Sequence, residues 1–347
     1  MRILAFLLLP LSVAAYLNQK TNPLHAQERA GGPTGSATNI LFQSADGGQT
    51  WQDISQGLPE KLQVHSVLSQ GGDLYLGSDN GTLYHSRDLK TGIWEPEDVG
   101  GFLSNPGGFS KVEHIFGIFS GRSGPYASIY EGGFFRKVPG KSFWQPMHKA
   151  LPEKTVYTVV EHADGSLFVA CEKGIYKSED DGKSWKHVLN EKWVGNLVSS
   201  DGVLLCSGSQ GLLRSTDNGE HWDCVLNDKG GIYNTNVLNG HFTAIRVAGP
   251  APHTSVEDVP ERSSMSADGG KTWQRIDGGL SPDDRIYNIE QAGKFLFCSH
   301  KSGISRSADG GKSWELVYPS TGLRDLYRFQ LAVSGETVYA VVVWGGC

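Results

Sequence analysis

Short apolar runs, alternating or continuous and broken by turns bearing Gly and Asp, recur along most of the chain. One unit shows the pattern clearly. "VYTVVEHADG" predicts a strand and its turn, "SLFVACEKG" a second strand, "IYKSEDDG" a third and "KSWKHV" a fourth. Val, Tyr, Phe and Ile segments bounded by Gly-containing turns are strand signals. The connection from third to fourth strand is written in almost the same eight letters each time, S-x-D-x-G-x-[TS]-W. Its clean copies place Ser44, Asp46, Gly48 and Trp51; Ser178, Asp180, Gly182 and Trp185; Ser215, Asp217, Gly219 and Trp222; Ser266, Asp268, Gly270 and Trp273; and Ser307, Asp309, Gly311 and Trp314. Two copies are degenerate, "SRDLKTGIW" ending at Trp94 and "RKVPGKSFW" ending at Trp144.

The Trp positions 51, 94, 144, 185, 222, 273 and 314 lie 37 to 51 residues apart, the period of propeller blades or solenoid repeats. Within the octet, the Asp stands two residues before a turn Gly and can accept hydrogen bonds from nearby backbone N–H groups. The Gly takes a positive φ, and the Trp covers the hairpin with a large apolar ring. The octet therefore builds a corner. After Trp314 the chain supplies two more strands, "LYRFQLAVSGETVYAVVVWGG", without an octet, whereas "NILFQSADGGQTWQDI" supplies a third and fourth strand with nothing before them. Joined, they make one blade from both termini and remove exposed sheet edges. The expected fold is an all-β, seven-bladed propeller of four-stranded blades over residues 37–347, closed by that shared blade.

These octets resemble the Asp-box, or bacterial neuraminidase repeat, and the resemblance covers roughly residues 37–347. It implies a β-propeller of the sialidase and sortilin-like superfamily, with the boxes on peripheral hairpins away from the ligand face. It implies no single activity, because fold does not fix function. In length and layout the chain is similar to the photosystem II assembly-factor-like propellers, which are non-catalytic chaperones. It departs from them in lacking a lipid-attachment Cys and an arginine-rich patch. A sialidase-like glycoside hydrolase is the alternative, and it requires three arginines, a Tyr nucleophile with a Glu partner, and an acid Asp. No Arg occurs between Arg29 and Arg87, and Arg246, Arg285 and Arg328 form a cluster only in imagination. The acidic pairs Glu257/Asp258 and Asp283/Asp284 read as solvated turns.

Charge and composition narrow the partners. Net charge is −6 with no basic run, so nucleic acid is not expected as a partner. No metal spacing or cofactor motif is visible, and a monomer is expected. Met1-Arg2 and the apolar run Ile3 to Leu17 read as an export signal of residues 1–26, cleaved after Ala15 or Ala26, with a disordered lead-in at 27–36. The run is short for a spanning helix, so the mature chain should cross no membrane and be secreted or periplasmic. Of five cysteines, Cys171, Cys206 and Cys298 fall at similar repeat positions and read as small buried hydrophobes; Cys224 and Cys347 are extra.

Ligand contacts are expected where first strands line the channel. One column reads His65, His114, Tyr157, Gly195, Tyr233, Tyr287 and Tyr327. The next reads Ser66, Ile115, Thr158, Asn196, Asn234, Asn288 and Arg328. Packing between blades is the competing role for these Tyr and Asn residues. Two long connections should share this face, 248–264 (with residues 250–261 at its centre) and 98–111 with Phe102 and Phe109. The expected function is a non-catalytic, exported propeller, assembly-factor or chaperone-like, that binds a protein or glycan at the channel mouth.

Overall fold

A computed structural model describes residues 39–344, apart from 90, 100–113, 193, 210, 228–231, 249–262, 282–283 and 322–326. The expected export signal, the lead-in, most of both long connections, Glu257, Asp258, Asp283 and Cys347 lie outside the described residues. The chain opens with β1 (Leu41–Ser44) and β2 (Gln52–Asp53), then β3 (Val64–Gln70), β4 (Asp73–Ser78), β5 (Leu83–Ser86) and β6 (Glu95–Glu97). The next group is β7 (Ile115–Phe119), β8 (Tyr126–Ile129), β9 (Gly133–Lys137) and β10 (Trp144–Pro146). Then come β11 (Val156–Glu161), β12 (Leu167–Cys171), β13 (Gly174–Ser178), β14 (Lys186–Leu189), β15 (Asn196–Ser200), β16 (Val203–Gly208), β17 (Gly211–Ser215) and β18 (Asp223–Asn227). β19 (Ile232–Leu238), β20 (His241–Ala248), β21 (Ser263–Ser266) and β22 (Gln274–Arg275) precede β23 (Ile286–Ala292), β24 (Phe295–His300), β25 (Gly303–Ser307) and β26 (Glu315–Pro319). β27 (Tyr327–Ser334) and β28 (Thr337–Trp344) end the described chain.

These strands form a β-propeller of four-stranded antiparallel blades. Seven separate blades are the sequence expectation; five stand alone, and the other strands form one eight-stranded sheet. That sheet joins β27-β28-β1-β2 to β3-β4-β5-β6 through a single parallel pair, Val343 with Val64. Repeat spacing counts hairpins and carries no information about a bridge between neighbouring edges, which is why the fusion is invisible in the sequence. The N-terminal hairpin does pair with the C-terminal strand, Leu41 opposite Val341 and Ser44 opposite Val338. Inner strands touch in the order β3, β7, β11, β15, β19, β23 and β27, and β27 returns to β3.

Second strands are rich in buried apolar residues because both faces meet a neighbouring sheet. All five residues of β12 are buried, as are five of six in β24. Fourth strands lie at the rim, and β14 and β26 are correspondingly exposed. Each repeat Trp packs into a different apolar cluster: Trp51 beside Phe297 and Ala340, Trp185 beside Phe134 and Val169, and Trp314 beside Ile245 and Leu296. Cys171, Cys206 and Cys298 are buried free thiols. Cys206 and Cys298 occupy one register, opposite Leu197 and Ile289 on their inner strands; Cys171 sits two residues further along its strand.

The octet does more than the sequence suggests. In the box at Asp46, Oδ1 accepts the N–H groups of Gln49 and Thr50 (each 2.9 Å), and Oδ2 accepts the Thr50 hydroxyl (2.6 Å). The buried Ser44 hydroxyl donates to Asp46 and accepts the Gly48 N–H, both at 2.9 Å. Asp180, Asp268 and Asp309 repeat the pattern. At Asp217 the missing hydroxyl is replaced by His221, whose Nδ1 lies 2.6 Å from Oδ2. The hydrogen bond from the Thr50 hydroxyl leads the influences that hold the Asp46 carboxyl down at about 2. The two central residues of each corner have positive φ. The first is Gly47, Asp181, Asn218, Gly269 or Gly310, residue types that tolerate that region.

The corners also join neighbouring sheets. A Cβ on Gly219 would stand 2.8 Å from Phe168 of the preceding blade, and one on Gly311 would stand 2.5 Å from the Ile276 carbonyl. Arg136, at the start of its degenerate box, grips Asp181 of the next corner with two bonds, at 2.5 and 2.8 Å. Arg214 and Arg306 reach the Gly269 and Gly47 carbonyls at 2.5 and 2.6 Å.

Candidate functional site

Antiparallel strand order puts the start of every first strand at the mouth opposite the boxes. Four first strands carry a β-bulge near that start, leaving His65, Phe116, Tyr157 and Tyr287 out of the ladder. A bulge re-aims the extra side chain. The residues so aimed meet across the seams between sheets. Phe116 and Tyr157 approach to 5.7 Å between ring centroids, and the Arg328 guanidinium stands 5.3 Å from the centroid of Tyr287. His65 and His114 are 5.5 Å apart.

The ladders correct the expected columns in two places. Residues at one register are Ser66, Gly117, Thr158, Asn196, Asn234, Asn288 and Gln330, paired with Gly77, Ser128, Ala170, Ser207, Ile245, Ser299 and Val341. Gly117 and Gln330 thus stand where Ile115 and Arg328 were expected, and Phe116 takes the bulge place assigned to His114. Loop lengths before β7 and β27 differ from the other repeats, and counting through them loses register that only strand pairing defines.

The Asn residues of this ring face a particular demand. An inner strand is a sheet edge with unpaired backbone groups. Asn288 donates to Leu331 O (3.2 Å) and accepts from Leu331 N (3.2 Å), replacing a strand partner with one amide. Asn234 donates to Tyr287 O at 3.4 Å, and Asn196 Oδ1 accepts the Thr235 N–H at 3.0 Å. Tyr157 and Tyr233 are buried, 7% exposed each, whereas Tyr287, Tyr327 and Arg328 are half-buried and keep accessible surface. Burial, with repulsion from His114 second, holds His65 down at about 4, so the pair is neutral near pH 7. Among the described residues no group of His, Cys, Asp and Glu is arranged for a metal.

Two polar clusters were not anticipated. Between β4–β6 and β9–β10, where both boxes are degenerate, Lys137 takes the place of the box Ser, opposite Trp144. Its ammonium donates to the buried Glu97, which also accepts from Trp144 Nε1 (2.8 Å) and meets His85 Nδ1 at 3.1 Å. His85 Nε2 lies 3.0 Å from Asp73, and Tyr75 stacks on the imidazole at 4.4 Å. Burial tends to raise the Glu97 carboxyl, but His85, Lys137 and Trp144 outweigh it and keep it ionised. The inserted residue in the first of these boxes and the loss of the Ser and Asp from the second were the available signal.

The second cluster joins Asp284, His300 and Ser305. His300 Nδ1 is 3.2 Å from Asp284, and Nε2 is 2.7 Å from the Ser305 hydroxyl. These are the residue types of a nucleophilic triad, but Ser305 is 2% exposed in mid-strand and offers no oxygen to a substrate. The relay ties β24 and β25 to the segment before β23. Of the arginines a sialidase would need, Arg246 lies on β20, Arg285 just before β23 and Arg328 on β27, over Tyr287.

No model of a known protein family matches the chain, and no curated protein sequence does. Solved structures do share its fold. YCF48 from Cyanidioschyzon merolae has a TM-score of 0.58 at 12% identity, covering 87% of this chain and 98% of that one. A structure of YCF48 bound to D1 peptide has a TM-score of 0.59 at 15% identity, covering 90% and 99%. A catalytically inactive virginiamycin B lyase from Staphylococcus aureus, with quinupristin, has a TM-score of 0.59 at 14% identity, covering 81% and 95%. One fold serves a peptide complex and a lyase, so the likeness concerns architecture.

Proposed function

We propose that this chain is an exported, non-catalytic propeller that binds a protein segment at the mouth opposite its boxes. The carrying observation is the half-buried Arg328 stacked on Tyr287 across two adjacent inner strands. Tyr and Arg in a partly dehydrated setting are the residue types that concentrate binding energy. The peptide complex of a structural neighbour supports a protein partner over a glycan. We read the eight-stranded sheet as two blades held by one residue pair, which restores seven blades and agrees with a separate Trp-bearing cluster at each seam. The repeats are then Asp-boxes in a single domain of residues 37–347, preceded by a cleaved signal, in a monomer outside the cytoplasm.

Immobilised mature protein should capture a protein from the cell envelope of its own source, identified by mass spectrometry. The double variant Tyr287→Ala, Arg328→Ala should weaken that partner by about 2 kcal/mol or more while keeping the wild-type circular dichroism. Equal capture by the folded variant would dismiss this mouth as the binding surface.

A further inference from the structure

Seven inner-strand residues share the register opposite the second-strand partner of the residue preceding each box. They are Leu68, Phe119, Val160, Val198, Asn236, Glu290 and Ala332. The residues one step earlier on the same strands, from Val67 to Leu331, are all buried against adjacent sheets, at most 8% exposed. All of the seven except Ala332 are only half-buried: Leu68, Phe119, Val160 and Val198 pack in part on the seam clusters, and the surface they keep lies on the open side of an inner strand, the channel. The lumen at this level is therefore apolar except for two neighbours, Asn236 and Glu290.

Glu290 is the one acid of the set. The Asn236 and Asn288 amides both donate to its Oε1, at 3.0 and 3.4 Å, which leaves Oε2 open to the lumen. Four other inner strands place Leu, Phe or Val here, and a carboxyl costs more to bury than they do. Burial pushes its pKa up to about 8 against the opposing pull of the two amides. Among the described residues no charged group faces it: β19 brings Thr235 and Asn236, β23 itself Asn288, and β27 Leu331 and Ala332.

We propose that Glu290 is the acidic end of a channel site for a primary ammonium carried on an aliphatic stem. The walls of Leu68, Phe119, Val160 and Val198 suit the methylenes, which bury readily while the charged head seeks a polar partner. An ammonium is a compact donor that needs one oxygen, whereas a guanidinium matches a carboxylate through both, and Oε1 is already taken by two amides. On binding, the Glu290 O–H bond breaks and its proton leaves to solvent. The ammonium keeps its three protons and donates one hydrogen bond to Oε2. Glu290 is two residues from the box-side end of β23, roughly 7 Å at the rise of a strand, so the site is reached from the mouth opposite the Arg328 surface and does not rest on that reading.

Titration calorimetry tests it with n-butylammonium and, in a second arm, a lysine-containing peptide amide, each in two buffers of different ionisation heat. Close to one proton should be released per amine bound at pH 7. Affinity should rise about 50-fold from pH 6 to pH 8, because the proton competes below the carboxyl's pKa. Glu290→Gln should lose at least about tenfold in affinity, and n-butylguanidinium should bind the wild type more weakly than the ammonium. Binding of n-butylammonium identifies a free amine as sufficient; binding of the peptide alone identifies a lysine within a chain. Binding by neither, or unchanged binding in Glu290→Gln, overturns the site. Carbon-13 NMR of the wild-type carboxyl gives an independent reading: its pKa should fall when n-butylammonium is added, and a fixed pKa also overturns the proposal.

Discussion

Gly270 and Gly311 occupy the same box position with nearly the same backbone, φ +83° and +89°, yet meet different surroundings. An added Cβ at Gly270 would find only ordinary contacts, the nearest atoms of Arg214 and Leu205 being 3.6 Å away. At Gly311 it would lie 2.5 Å from the Ile276 carbonyl oxygen and 2.9 Å from the Ile276 Cα. That backbone cannot rotate aside, because Gly278 N–H donates to Gly311 O at 3.0 Å and Trp314 Nε1 donates to Ile276 O at 2.8 Å. Forcing Ala into the left-handed region costs about 1–2 kcal/mol. Overpacking against fixed backbone adds about 1–3 kcal/mol. Gly270→Ala should therefore lose about 1–2 kcal/mol and Gly311→Ala about 2–5 kcal/mol, read from urea unfolding followed by tryptophan fluorescence. Equal losses would mean that the turn alone needs the glycine and that the boxes do not rivet one sheet to the next.

Removing Tyr327 to Cys347 takes away β27 and β28 and leaves β1 without its inner partner; unfolding should lose cooperativity or the protein should aggregate, as light scattering on heating will show. Box carboxyls such as Asp46 and Asp309 are held at about 2, below their unfolded value. Their stabilisation is present above about pH 4 and lost as pH falls toward 2, so the melting temperature should drop across that window and drop less in an Asp309→Asn variant. Glu290 has the opposite sign: its folded pKa of about 8 exceeds the unfolded value, so its contribution is full below about pH 4 and lost as pH rises through 8. Glu290→Gln should accordingly melt higher than wild type at pH 8.5, with the gap closing at acid pH.

Much of the architecture was legible because the repeat writes its own corners. Ser44, Asp46, Gly48 and Trp51 each have a task that the residue type announces: a hydroxyl for two bonds, a carboxylate for backbone donors, a left-handed turn and an apolar lid. The seventh letter was harder to read, since Thr50 and His221 share only a donor at the right reach. Register was not legible at β7 and β27, where the unequal loops before them displace His114 and Arg328 from the expected columns. Partners across seams were hidden too. Nothing local to Asn288 points to Leu331, and nothing in Glu97 points to Lys137, because those pairs are 43 and 40 residues apart.

The division of labour between the two mouths is most directly tested by hydrogen exchange of the mature protein with and without its captured partner. Protection on binding should fall on the peptides holding Tyr287 and Tyr327–Arg328 at the starts of β23 and β27, with the boxes at Asp46, Asp180, Asp217, Asp268 and Asp309 unchanged. Protection concentrated on those boxes, with the strand starts exchanging as in the free protein, would contradict the account.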